Sequence, residues 1–544
     1  MTSLVPREPY SKEELQKLYP EGLQLQLVQV FLRHGERTPV SSRFQNTGLA
    51  SCNVTYPLPF HWAPGPVHTL IYSNQTGHIA MPQEGSHKSL RQARIYPAGV
   101  NSNGGERWRD LEERTRRWWP SAQKEKLKAF GNFPGELTDK GRRSTYALGQ
   151  RLRYLYVDQL GFMPKVRSNT DDMYLRTTPI PRALESLQQT FWGMYPPDSR
   201  TANFPPPTIV VRSPAEETLY PNESNCHRFR QLARLFAQRA ANKWNESEEM
   251  EYLNSLWSKW MPSNSPRIAV DSRPRLSGIL DTINSSLAHG PGTRLPSEFY
   301  DPKARELADR IATDEWFAGY KESNEYRKLG IGALIGDVVD RMVHTSVHGG
   351  WRPTTNGSES KAAVKFVLSG CHDTTIAAIL NSLGAFDDEK WPPYTSSISI
   401  ELFKAVSAPN ATKPGYILEE LNIPDTENLP QKKNPSGFMS NFFGSKSLSR
   451  EVTQVSENVR AAVSDLPSSP LQKHYVRLRY NDQPVRIPGC AANPRNHLPG
   501  NDTFCTLEAF KKIADKFTPI HWHEECGKNL DEGMFAKGDE PSGY

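Results

Sequence analysis

Long apolar runs are missing from this 544-residue chain, and none approaches the length that crosses a bilayer, so no transmembrane segment is expected. Residues 1–20 are polar and hold no apolar stretch of the kind a secretory signal needs, which reads as intracellular. No Gly-x4-Gly-Lys-Ser/Thr phosphate loop occurs, and none of the six cysteines is followed six positions later by arginine. P-loop chemistry and a cysteine-based phosphate nucleophile are therefore set aside. Metal spacing is absent too: His344 and His348 stand alone at i, i+4, and His521, His523 and Cys526 make no complete ligand set. No metal and no other cofactor is expected. Charge of one sign is in small excess, a formal +6, which suits anionic ligands without indicating nucleic acid. Two features pull against the intracellular reading. The cysteine count is even, and Asn-x-Ser/Thr sequons occur at Asn53, Asn74, Asn222, Asn245, Asn284, Asn356, Asn410 and Asn501. Both would fit a secretory or vacuolar protein lacking its signal, and the compartment stays open.

What is present begins with a strand. Leu23, Leu25 and Leu27 alternate with glutamines, then Val28, Val30, Phe31 and Leu32 close into a nearly continuous apolar block, the pattern of a strand buried on both faces. It runs into Arg33-His34-Gly35-Glu36-Arg37-Thr38-Pro39, where Gly35 reads as a sharp turn and Pro39 as a stop to the ladder. One imidazole between two guanidiniums at a strand end makes a cradle for a tetrahedral dianion. Arginine forks match phosphate oxygens in pairs, and imidazole can carry a phosphoryl group between two displacements.

A second buried strand, Ala362 to Ser369, ends in Gly370-Cys371-His372-Asp373-Thr374-Thr375, followed by a helix with Gly384 at its end. A third, shorter strand at Met173 leads through Arg176 to Pro181, which opens a helix with Arg182 in its first turn, where free N–H groups already favour an anion. Thr138, in Gly135-Glu-Leu-Thr-Asp-Lys-Gly141, reads as the N-cap of a further helix. Charged helices over Phe229–Trp260 and Lys303–Tyr320 are separated by Pro/Ser-rich loops, and Gly330–His348 reads as an amphipathic helix. Trp391-Pro-Pro-Tyr394 reads as a loop before a strand at Ser396–Phe403, and His474–Ile487 as one more strand. Arg107–Pro120 mixes five arginines with Trp108, Trp118 and Trp119; a wall of the site mouth is preferred there over a nucleobase stack.

The Arg33–Pro39 heptad resembles the signature of the histidine acid phosphatases, a branch of the phosphoglycerate-mutase-like histidine phosphatase superfamily, and the other motifs resemble that family's later elements in order. The resemblance implies an α/β fold: a three-layer α/β/α mixed sheet with an inserted, mainly helical cap. It divides the chain into an N-terminal extension (1–22), a catalytic domain (23–213 and 329–526, with a flexible insertion at 424–470), a cap (214–328) and a C-terminal tail (527–544). It implies that His34 attacks phosphorus, that Arg33, Arg37, Arg182 and His372 hold the phosphate oxygens, and that Asp373 protonates the leaving group. Arg182 is preferred to Arg176 for the third clamp. By the same analogy Cys490 would pair with Cys505 and Cys226 with Cys526, leaving Cys52 for Cys371. The implied substrate is a small-molecule phosphomonoester, with no nucleic-acid partner. The Trp-Pro-Pro-Tyr and C-terminal resemblance leans toward the general and lysophosphatidic acid phosphatases and away from dedicated phytases. A phosphotransferase of the mutase type and a catalytically silent phospho-ligand binder are the alternatives. The oligomeric state is left open, a homodimer being compatible.

Overall fold

The computed structural model describes residues 8–41, 43–44, 135–289, 295–355, 358–360, 362–386, 390–406, 463–533 and 541–544, and the backbone of two short strands, 71–73 and 78–80. Arg107–Pro120, Cys52 and positions 424–462 of the expected insertion lie outside the described residues.

Among the described residues the centre is a mixed sheet of eleven strands. In chain order these are β1 (Leu23–Arg33), β2 (Ile71–Ser73), β3 (His78–Ala80), β4 (Met173–Thr177), β5 (Thr208–Val211), β6 (Phe366–Cys371), β7 (Ser397–Ala405), β8 (His474–Tyr480), β9 (Gln483–Val485), β10 (His497–Leu498) and β11 (Asn501–Thr506). Across the sheet they run β10-β11-β8-β7-β1-β6-β4-β5-β3-β2, with β9 on β8. Strands β1, β6, β4 and β5 pair in parallel, and their neighbours on either side are antiparallel. The four parallel strands all end on one edge, where α/β folds form their ligand crevices.

Both faces are covered, as the apolar run in β1 requires. Leu27 and Phe31 face one cluster, which includes Ile335 and Val338 of helix α8 (Ala333–His348) and Ile376 and Ile379 of α9 (Asp373–Ser382). Val28, Val30 and Leu32 face another, with Leu148 of α2 (Asp139–Arg153) and Leu187 and Phe191 of α3 (Pro181–Met194). Gln29, buried between them in sequence, is satisfied by donating to the Val338 carbonyl at 3.0 Å and accepting from Arg341 at 3.0 Å. Beside the sheet lie α4 (His227–Trp244), α5 (Glu248–Trp257), α6 (Leu276–Ala288) and α7 (Pro302–Glu322), around a third cluster that includes Trp244, Trp257 and Phe299.

Several boundaries differ from the sequence reading for local reasons. The helix expected over 229–260 breaks after Trp244, because the Ser247 side chain accepts from the Met250 N–H and starts a new helix. The strand expected over 474–487 is a hairpin: Asn481 and Asp482 both take positive φ, 46° and 72°, the two-residue turn that matches strand twist. The strand expected from Ala362 begins at Phe366, since Val364 bridges instead to Trp351. Gly35 does not take a left-handed turn. Its value lies in approach: a Cβ there would sit 2.4 Å from the Gly141 carbonyl oxygen, and one on Gly141 would sit 2.2 Å from that of Glu36. Two backbones therefore meet where the sequence shows only two separate glycines.

Behind the sheet a buried carboxylate ties the N-terminal segment to the body. Glu401 on β7 accepts from Tyr19 (2.6 Å), Tyr156 (2.8 Å) and Arg477 Nε (2.8 Å), while Arg479 reaches Tyr10 (2.6 Å) and Tyr19 (3.1 Å). Burial alone would raise the Glu401 pKa, but the guanidiniums of Arg477 and Arg479 outweigh it and keep it below the ordinary value. Cys226 is joined to Cys526 and Cys490 to Cys505. Cys371 is buried.

Gly141→Ala tests the close approach against helix propensity, which by itself favours alanine by about 1 kcal/mol. A loss of about 1–3 kcal/mol in urea unfolding is expected, with Gly22→Ala, which meets nothing within 4 Å, nearly neutral. A stabilised Gly141→Ala would contradict the packing.

Candidate active site

The parallel register sets Arg33 beside Cys371, and the His34 N–H donates to the Cys371 carbonyl at 3.1 Å. The next residue on each strand, His34 and His372, therefore emerges at the same level, with ring centroids 5.5 Å apart and both side chains buried. On the other side of β6, β4 ends at Thr177 beside Gly370, and Thr178 Oγ1 lies 3.0 Å from His372 Nε2. The chain then turns into α3, whose first position is Pro181, so Arg182 falls in the first turn and lines the same cavity as both histidines. Arg176 points elsewhere: it pairs with Glu217 at 2.7 Å and donates to Thr218 at 2.9 Å inside the fold.

His34 Nδ1 lies 2.9 Å from the Gly35 carbonyl oxygen, which can only accept, so the proton is on Nδ1 and the lone pair on Nε2. Gly35 N–H donates to Ser186 of α3 at 3.0 Å and fixes the turn. Burial, then the fields of Arg182, Arg33 and Arg37, hold His34 well below the ordinary histidine pKa. Burial, then Arg182, holds His372 down at about 3 against the opposing pull of Asp373. Both rings are neutral.

Arg33 and Arg37 beside them are each held in an ion pair. Arg33 pairs with Asp373 at 2.8 Å, donates to the Pro392 carbonyl and lies 4.0 Å over the Tyr394 ring. Arg37 pairs with Asp281 of α6 at 2.6 Å. Arg182 stands against Arg37 with much of its water removed, and burial followed by that like charge brings its pKa down to about 10. Burial would raise the Asp373 carboxyl, but Arg33, the Trp391 indole N–H at 2.9 Å and Arg37 overcome it and hold the acid at about 2. The Thr374 N–H adds a bond to its other oxygen at 2.9 Å.

All six residues expected at the site thus surround one hollow, Arg33 from behind Asp373 and the rest on its lining; the hollow has about 720 Å³ of open space. Sequence reasoning missed Asp281, Thr178, Trp391 and Tyr394. The dense Trp-Pro-Pro-Tyr run directly before a buried strand was a usable signal for the last two; a lone aspartate in an otherwise uncharged helix gave none for Asp281. Among the described residues no group of three or more histidine, cysteine, aspartate or glutamate side chains is arranged to hold a metal ion. No helix among them is long and apolar enough to cross a membrane.

The sequence model of the histidine phosphatase superfamily (branch 2) matches residues 24–418. A probable acid phosphatase of Schizosaccharomyces pombe is 34% identical over 514 residues, covering 93% of this chain and 95% of that protein. Human lysophosphatidic acid phosphatase type 6 is 26% identical over 278 residues, 50% of this chain and 58% of that one. Among solved structures, the apo form of Hafnia alvei phytase is 13% identical and covers 93% of this chain and 99% of that one, with a TM-score of 0.48.

The depressed histidines give a pH prediction. With folded-state values below the unfolded value of about 6.5, the unfolded chain binds more protons, so the two rings cost stability as pH falls below about 6.5. In ¹³Cε1-histidine spectra without anion, the signals lost in His34→Ala and His372→Ala should stay in the neutral-form position from pH 7 to about pH 5 while exposed imidazoles titrate. A His34 midpoint near 6.5 would contradict the field assigned to the guanidiniums.

Proposed function

The chain belongs to branch 2 of the histidine phosphatase superfamily, as a histidine-type acid phosphatase, and from that premise we propose that it hydrolyses phosphomonoesters through a phosphohistidine on His34. The observation that carries the reading is a neutral imidazole, its Nε2 lone pair free, facing the same cavity as a carboxyl group and the guanidiniums of Arg37 and Arg182. Arg33, Arg37, Arg182 and His372 hold the non-bridging oxygens, the positioning and charge stabilisation that phosphoryl transfer chiefly needs.

Charge counting says how the acid is made. Arg33, Arg37 and Arg182 face the carboxylates of Asp373 and Asp281, with Arg43 also acting on Asp281, so positive charge is in excess. A phosphate dianion offsets that excess, and it draws Arg33 away from Asp373. Both changes raise the Asp373 pKa, so binding of the dianion is coupled to uptake of one proton on that carboxyl. Nε2 of His34 then bonds to phosphorus as the P–O bond to the leaving alcohol breaks, and Asp373 gives its proton to the departing oxygen. Water next attacks the phosphohistidine, its proton passing to the Asp373 carboxylate, and the P–N bond breaks to release phosphate. Acid favours the cycle because it supplies the proton on Asp373, while the depressed His34 remains nucleophilic.

Every group in this scheme comes from one chain, so a monomer suffices for chemistry, whatever its assembly. A recessed cavity suits a small ester and gives no reason to invoke nucleic acid. The name of the human relative, a lysophosphatidic acid phosphatase, makes lipid monophosphates one of the candidate substrates.

Asp373→Asn should lower turnover of alkyl phosphates by about 10²–10⁴-fold and of p-nitrophenyl phosphate, whose leaving group needs no proton, far less. Equal losses on the two substrates would remove Asp373 from the role of acid. After rapid acid-free quenching with ³²P-labelled ester, wild type should carry acid-labile label that His34→Ala lacks; label retained in the variant would move the nucleophile elsewhere.

A further inference from the structure

The cavity has two unlike halves. Its floor is the phosphate cradle. The remaining wall is formed largely by Tyr220, Phe229, Trp316, Phe317, Tyr320 and Tyr326. Three of these rings are locked against each other: Phe229 and Tyr326 have centroids 4.8 Å apart, as do Tyr320 and Tyr326. Trp316 and Phe317 flank Trp391 at 6.0 and 5.0 Å. The wall is therefore a fixed, mainly aromatic surface that favours an apolar occupant over a charged one.

Its charge is as one-sided. Among the described residues, Arg37 and Arg182 are the lining cations, and both belong to the first phosphate. The wall adds one carboxylate, Glu223. Arg230, Arg234 and Arg275 act electrostatically on Glu223 but do not line the cavity. Arg230 is bound to the carbonyls of Glu223 and Ser224, and Arg275 stands 3.5 Å from Glu315. A second phosphate on the leaving group would meet aromatic rings and a negative charge, with no further guanidinium among the described residues that line the cavity.

We propose that this cavity selects monophosphate esters of apolar alcohols, and that Glu223 is a specificity residue that disfavours any further phosphate on the substrate. The claim rests on the phosphomonoesterase reading above and narrows it to a substrate class. Burying the alcohol portion stabilises the complex methylene by methylene, while an anion on it faces like charge at short range in a partly dehydrated space.

The test uses the full chain and a series of methyl, butyl and octyl phosphate below their aggregation limits, with inositol hexakisphosphate as the polyanion, at a pH where glutamate is ionised. KM should fall by about threefold per added methylene over the length the wall covers, and kcat/KM for inositol hexakisphosphate should lie well below that for octyl phosphate. Glu223→Gln should raise kcat/KM for the polyanion by about tenfold relative to octyl phosphate. A KM indifferent to chain length, or a polyanion preferred by wild type, overturns the substrate class. An unchanged ratio in Glu223→Gln overturns the role of that residue. If wild type turns over no ester at all, the phosphatase reading fails separately, and calorimetric dissociation constants for the same esters still decide the wall: falling with chain length supports it, flat overturns it.

Discussion

The parallel ladder between β1 and β6 is the constraint on which the rest depends. Its register, Val28 beside Phe366 through Arg33 beside Cys371, is made of backbone hydrogen bonds between two strands buried on both faces. Parallel pairing puts both C-terminal ends on one edge, so the residues that follow meet without any contact between the side chains having to bring them there. Gly370 extends this to the third strand end. A Cβ there would lie 2.7 Å from the Ala183 carbonyl, so its absence lets α3 press onto β6 and bring Arg182 over the pair. The chemistry thus sits on strand termini and a helix start, elements whose positions the core dictates.

The segment α4–α7 completes what the sheet begins. Asp281 on α6 holds Arg37 in place, and Asp309 on α7 accepts from the Trp391 N–H at 3.1 Å. Trp391 in turn donates to Asp373, which holds Arg33. A line of hydrogen bonds therefore runs from a helix beside the sheet to the acid at its edge. Buried ion pairs of this sort contribute little net stability, because dehydrating the ions offsets most of their attraction. Their value here is to hold guanidiniums extended and charged in a dry place until a stronger anion arrives. In the proposed mechanism the same pairs govern the proton count: the carboxylate that anchors Arg33 becomes the acid once that arginine is drawn away.

Much of this was legible in the sequence, and the reasons differ by residue. His34, Arg33 and Arg37 were readable because a strand buried on both faces cannot end in three such groups without a use for them. His372 and Asp373 were readable because the same pattern recurs, and Arg182 because Pro181 announces a helix start. Gly35 was noticed but for the wrong reason: a glycine in sequence suggests a turn, whereas the structure uses it to let two chains touch. Asp281 was invisible, since pairing with Arg37 depends on how a distant helix lies across the sheet, which no local pattern encodes. Thr178 and Tyr394 fall between, in runs whose composition was odd enough to mark but not to interpret. The one-strand reading of 474–487 failed because Asn481 and Asp482 are ordinary strand interruptions until their left-handed backbone is seen.

The buried carboxylate behind the sheet has a consequence for where this protein ends as a physical object. The match to the family model begins at residue 24, yet Tyr10 and Tyr19, both upstream, supply hydroxyls to the Glu401–Arg479 group. The stretch that the family model matches and the unit that folds are therefore not the same length. A chain begun at residue 24 would lack Tyr10 and Tyr19 and would open Glu401, Arg477 and Arg479 to water on β7 and β8, the two strands ranged beside the one that leads to His34.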